Sequence, residues 1–247
     1  MGIARTSTFA HTGNPTTAPT AALPATEKDD VLVLVVANGG SNANPTLSGT
    51  SVTVGGLAWT RKISGVGPIE ANAFNGSLWW ARAKGDHAGQ TVIAATVDSG
   101  SLVGASYRGV ISTGDPFRFA LTENNDSAPI TSIDGLLSTL LAADMLTFCV
   151  AVDDNSTAPT DRILLMVGGE VVSEGEVAVY ATSEGGNDTG AAFWDYQVES
   201  TDSLESGEAE TLEPASRSTP IFADLIPQPK EGEGGKVDSW MLLGLGA

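Results

Sequence analysis

The chain has 247 residues, 41% of them apolar, which is enough to bury a sizeable core and excludes global disorder. Its formal net charge of −18 repels phosphate backbones and anionic lipid surfaces, so neither nucleic acid nor a membrane is an expected partner. A single cysteine, Cys149, excludes an intrachain disulfide and, lying in an apolar run, reads as a buried inert thiol.

Residues 1–27 are rich in Thr, Pro and Ala, with turn signals at Gly13-Asn14-Pro15 and Leu23-Pro24. They read as an N-terminal arm, either extended over the domain or loose. The first residues lack the apolar core of a secretory signal, and no apolar stretch approaches the length of a membrane span. Synthesis in a cytoplasm is the expectation.

Residues 28–227 read as one β domain. It opens on Asp29-Asp30 and the unbroken run Val31-Leu32-Val33-Leu34-Val35-Val36. Such a run is too short for a lone helix and fits a strand buried on both faces. Asn38-Gly39-Gly40-Ser41 breaks it. Residues 51–54 and 57–63 predict two strands around Gly55-Gly56, with Leu57, Trp59, Arg61 and Ile63 on one face of the second. Residues 77–82, 90–97 and 103–110 predict three more, the first two joined by a turn over residues 84–89 that holds His87. Short strands at this spacing are the pattern of a sandwich or barrel.

In the second half, residues 128–133, 145–152, 162–167, 177–182, 192–198 and 221–226 predict strands. Ala192, Trp194 and Tyr196 share one face of their strand, which reads as core. Leu136, Leu137, Leu140 and Leu141 fall at helical spacing and predict a short helical turn before Asp144. Residues 200–218 predict a long acidic loop. Charge gathers here: residues 1–150 carry 11 acidic and 8 basic groups, residues 151–247 carry 19 and 4. This acidic excess reads either as a solvated surface or as one that attracts cations or a basic partner.

Residues 228–247 form a C-terminal extension: a Pro/Gly/Glu-rich linker followed by Trp240, Met241, Leu242 and Leu243. An apolar peptide on a tether is costly to leave in water. It either folds back on its own domain, docks into a neighbouring subunit or stays disordered. The four apolar residues are the candidate partner-docking site.

No catalytic constellation accompanies these elements. His11 and His87 lie in the arm and in a Gly-flanked turn, so a Ser-His-Asp arrangement lacks a placed base. Two histidines and one cysteine do not make a zinc site, and no phosphate-cradling glycine motif occurs. Asp29-Asp30, Asp153-Asp154 and Asp195 are the carboxylates that a glycosidase pair would need, although Asp-Asp at a strand end ordinarily marks a turn. Asp153-Asp154-Asn155 and Glu123-Asn124-Asn125-Asp126 supply oxygens for a structural Ca2+, without EF-hand spacing. Trp79-Trp80 on one strand puts an indole on each face, one for the core and one for stacking a glycan or anchoring an interface. The expectation is therefore a protein without enzymatic activity, cofactor or metal site, with glycan binding as the alternative.

The succession Asp30 to Val36, Leu57-Ala58-Trp59-Thr60, Leu78-Trp79-Trp80-Ala81-Arg82, residues 91–97 and Ala105-Ser106-Tyr107-Arg108-Gly109-Val110 resembles a loose family of jelly-roll-like domains. Members recur in bacteriophage virion proteins and bacterial surface proteins. The resemblance spans roughly residues 28–227, resuming at 146–152 and ending at 221–226; the acidic excess after Glu170 is not part of it. It implies an all-β, antiparallel, jelly-roll-like β-sandwich acting as a capsid decoration or tail-associated subunit of a virion. Its implied partners are other virion proteins and further copies of itself, as a homo-oligomer. It supplies no catalytic residues.

Overall fold

The structure is a computed structural model that describes residues 2–11, 18–39, 46–47, 57–66, 74–95, 99–122, 133–134, 139–140, 144–153, 161–167, 170–175, 179–181, 190–197, 202–203, 206–211 and 217–229. Among them there is no helix. The first half supplies β1 (Ala4–Ala10), β2 (Thr20–Ala22), β3 (Val31–Gly39), β4 (Thr46–Leu47), β5 (Thr60–Val66), β6 (Phe74–Arg82), β7 (Thr91–Ala95), β8 (Ser99–Arg108) and β9 (Phe117–Thr122). The second supplies β10 (Ile133–Asp134), β11 (Thr139–Leu140), β12 (Met145–Asp153), β13 (Asp161–Val167), β14 (Glu170–Gly175), β15 (Val179–Ala181), β16 (Gly190–Gln197), β17 (Asp202–Ser203), β18 (Ser206–Thr211) and β19 (Arg217–Leu225).

Two five-stranded antiparallel sheets face each other. The first, in the order β1-β8-β3-β6-β5, comes from the first half of the chain; the second, β15-β16-β12-β19-β9, comes from the second half plus β9. A three-stranded layer, β2-β7-β4, covers the other side of the first sheet. The remaining strands pair as β10-β18-β13-β14 and β11-β17. The fold is thus an all-β, antiparallel sandwich, with a third layer added on one side.

That third layer explains the run at the head of the domain. Val31, Val33, Val35 and Ala37 point into the core between the five-stranded sheets, where they meet Tyr107, Phe193, Ile221 and Leu225. Leu32, Leu34 and Val36 point the other way, onto Phe9, Ala21, Leu47, Trp79 and Val92. All seven are fully buried. Alternation of side chains would leave one face of an outer strand wet, so a strand apolar at every position needs cover on both sides. Each buried Val or Leu contributes about 2 kcal/mol by the apolar area removed from water.

The arm lies over the domain, as two paired strands. β1 runs antiparallel to β8, and β2 pairs with β7. Leu23 is buried, its backbone exchanging hydrogen bonds with Gly89 and Gln90. Just past β8, Val110 bridges Pro227 and the Gln228 N–H donates to the Gly109 carbonyl at 2.6 Å.

Four local expectations change. Between Arg61 and Ile63 a bulge shifts the register of β5 on β6, so Arg61 faces Trp79 while Ile63 joins the core between the sheets. The extra residue reverses the alternation that would have put both on one face. In β16 the inward positions are Ala191, Phe193 and Asp195, in register with Ala151, Cys149 and Thr147, so the core alternation is offset by one from the expected one. Leu140 lies in a two-residue strand paired with β17 rather than in a helical turn, while Leu136, Leu137 and Leu141 fall outside the described residues. Residues 206–211, read as loop from their acidity, form β18 between β10 and β13, with Glu210 in register with Arg162. Residues 51–54, 128–132 and 230–247 lie outside the described residues.

Gly104 of β8 is required by close approach. A Cβ there would run into the Val33 carbonyl oxygen and the Phe9 ring. Since a carbonyl locked into a central ladder cannot yield, Gly104→Ala is expected to cost about 2 kcal/mol, as overpacked cores do. A urea-unfolding midpoint unchanged from the parent would contradict that.

Candidate functional site

Four polar clusters among the described residues are built where a strand ends or meets a neighbour. At the head of β3, Asp29 adopts φ +73° in the turn that reverses the chain, and Asp30 follows with its side chain buried. Arg108 donates a fork to Asp30, Nε to Oδ1 and Nη2 to Oδ2, both at 3.0 Å, and its Nη1 lies 2.9 Å from Glu27. The Asp30 Oδ2 also accepts from the Glu27 backbone N–H at 2.8 Å. Hydrogen bonding to Asp30 holds the Arg108 guanidinium above its ordinary range. This pairing closes the turn.

The second cluster is the turn after β6. Thr26 donates through its hydroxyl to the Gly85 carbonyl and accepts from the His87 N–H. His87 is buried, its Nε2 accepting from the Lys84 N–H at 3.3 Å and its Nδ1 2.9 Å from Gln90 Oε1. Asp86 Oδ1 accepts from the backbone N–H groups of Ala88 and Thr26, and those bonds hold its carboxyl below the usual range. The histidine fastens a turn.

The third cluster holds Asp195. Tyr107 is fully buried, its ring 6.3 Å from that of Phe193, and its hydroxyl donates to Asp195 Oδ2 at 2.8 Å. Arg5 of β1 reaches the same oxygen at 3.1 Å. Tyr107 and Arg108 are consecutive in β8 and point to opposite faces, so Asp195 and Asp30 are kept on opposite sides of the first sheet. The structure does not bring these two carboxylates together as a catalytic pair. Of Asp153 only the backbone is described, and Asp154 and residues 123–126 fall outside the described residues. Among the described residues no cluster of three or more metal-ligating side chains occurs.

The fourth cluster is one that sequence reading missed. Asp144, just ahead of β12, and Asp224, in β19, both have fully buried side chains. Arg118 of β9 donates through Nη2 to Asp144 Oδ1 at 2.9 Å and through Nε to Asp224 Oδ2 at 3.1 Å. Gln197 donates to the Asp144 carbonyl at 2.8 Å. Burial, and then the neighbouring Asp144 carboxylate, push the Asp224 carboxyl up to about 7, against the pull of Arg118. The one available signal was an aspartate inside the apolar run Ile221-Phe222-Ala223-Asp224-Leu225-Ile226. Arg118 lies 106 residues from Asp224 and 26 from Asp144 along the chain, beyond the reach of any local pattern.

Of the aromatic candidates, Trp79 is buried, donates its indole N–H to Ser77 at 2.9 Å and lies beneath Arg61 at 5.8 Å. Trp80 is half-buried, packs onto the inter-sheet core and has Arg82 over its ring at 5.9 Å. Both indoles thus carry an arginine on the ring, an attraction between cation and π face. Trp240, Met241, Leu242 and Leu243 lie outside the described residues.

No family model, no curated protein and no solved structure matches this chain.

Tyr107→Phe keeps the ring in the core but leaves Asp195 without its buried donor. The expected loss is about 1.5–3 kcal/mol, the range for a hydrogen bond to a charged group. Urea unfolding of the variant measures it, and an unchanged midpoint would show the bond to be energetically idle.

Proposed function

We propose that the protein is a non-enzymatic structural subunit of a virus particle, a capsid decoration or tail-associated protein that binds neighbouring copies and other virion proteins. The observation that carries this reading is how the reactive groups are used. Asp30, Asp195, Asp144 and Asp224 hold strands together through side-chain bonds to another segment, and the His87 imidazole is bonded within its own turn. Groups committed to holding strands in place suit a part that bears load. The resemblance of the strand series to jelly-roll-like virion domains favours the same class.

The path of the chain supports docking through the C-terminal extension. Pro227 and Gln228 are pinned to Val110 and Gly109, and Gly109, at φ +81°, lies against Gly2. Gly2 and Gln228 therefore sit together at the end of β8. The extension continues from Gln228, and Trp240, Met241, Leu242 and Leu243 are the apolar anchor this reading assigns to it. Each such side chain, once buried in a neighbour, contributes about 2 kcal/mol.

Sedimentation of the full chain beside a version lacking residues 228–247 tests this. The full chain is expected to form a defined homo-oligomer, and the shortened one to dissociate toward monomer. Equal mass for the two would sink the docking role of the extension.

A further inference from the structure

The Arg118 cluster sits at a weak point in the second sheet. β9 is an edge strand, bonded among the described residues to β19 alone. Its register on β19 runs Thr122 to Ile221, Leu121 to Phe222 and Ala120 to Ala223, then slips, resuming only at Phe117 opposite Leu225. Asp224 occupies that slip, with Arg118 beside it. Where a ladder is interrupted, side chains must do the holding.

The charges that meet there do not balance. From β9 comes Arg118, from the start of β12 comes Asp144, from β19 comes Asp224, and from β16 the neutral Gln197. Lys62 of β5 reaches the beginning of β9, where it is tied to Asp115 and lies over the Phe117 ring at 5.7 Å. With both carboxylates ionised, two buried negative charges share one guanidinium. Asp224 Oδ1 is also buried without a hydrogen-bond partner, a costly place for half of an ionised carboxylate. A proton on Asp224 removes the excess charge. Arg118 is one-third exposed, so water reaches the cluster from the β9 side when that strand lifts.

We propose that Asp144, Asp224 and Arg118 form a proton-operated latch that holds edge strand β9 onto the second sheet while Asp224 is protonated and loosens it once the proton leaves. The sign follows from linkage. The closed state binds this proton more tightly than the open one, so the latch is fully held below the ordinary aspartate range. Its contribution falls as pH rises from about 4 toward 7, and levels off above that. Exposure of β9 pairing groups at neutral to alkaline pH would give an assembling subunit a strand edge that changes with the medium.

Hydrogen exchange of the β9 amides in the full chain, corrected for the intrinsic effect of pH on exchange, tests this. Between pH 5 and pH 8 their protection is expected to fall by on the order of tenfold or more, since each unit of displaced titration is tenfold in the opening equilibrium. In Asp224→Asn the same fall should vanish. Protection that stays constant in the parent, or a fall that persists undiminished in the variant, would overturn the latch. If Asp224→Asn does not fold, the carboxyl carbon resonance of Asp224 in the parent protein still decides. A midpoint near neutrality supports the latch, and one in the ordinary aspartate range rules it out.

Discussion

Burial of β3 on both faces is the constraint from which the rest of this fold follows. A strand of Val and Leu at every position is soluble only as the middle of something, and here it is the middle of three layers. The odd positions demand a second sheet and the even ones a covering layer. The second half of the chain answers the first demand with β12, β16 and β19, and the arm answers the second with β2. Cutting either away would expose the hydrophobic side chains that hold the other in place.

Polar groups are spent at the seams of this arrangement. Asp30 and Arg108 close the turn into β3, His87 and Thr26 fasten the arm to the turn after β6, and Asp195 joins the two sheets through Tyr107 and Arg5. Each pairing spans a long stretch of sequence. A buried carboxylate left alone is expensive, whereas one met by a donor of fixed geometry specifies which strand lies where. Charged residues in this core therefore act as registers more than as glue. The exception is the pair of aspartates on Arg118, where the partner count falls one short and the ladder is interrupted at the same residue.

The proposed assembly role draws on these features together. The layered core gives rigidity, Gly2 and Gln228 lie side by side at the end of β8, and the proposed latch makes the hold on β9 depend on a proton. The acidic excess of residues 151–247 gives that part of the chain a negative field.

Much of the first half was legible in the sequence because its signals are local. The Val/Leu run, the alternation around Trp79-Trp80 and the turn over residues 84–89 each report a nearest-neighbour preference. Where one extra residue intervenes, as in the bulge at Arg61 to Ile63, that kind of reading inverts a face without warning. Acidity likewise hid β18, since a strand can be polar when its partner across the ladder supplies the pairing. The sequence by itself determined that the protein is an all-β sandwich with a doubly buried central strand, because periodicity is a property of adjacent residues. Only the tertiary structure decided that a third layer covers that strand, that the arm supplies part of it, and that Asp144, Asp224 and Arg118 converge. Those outcomes rest on contacts between residues far apart in the chain, and no local period encodes them.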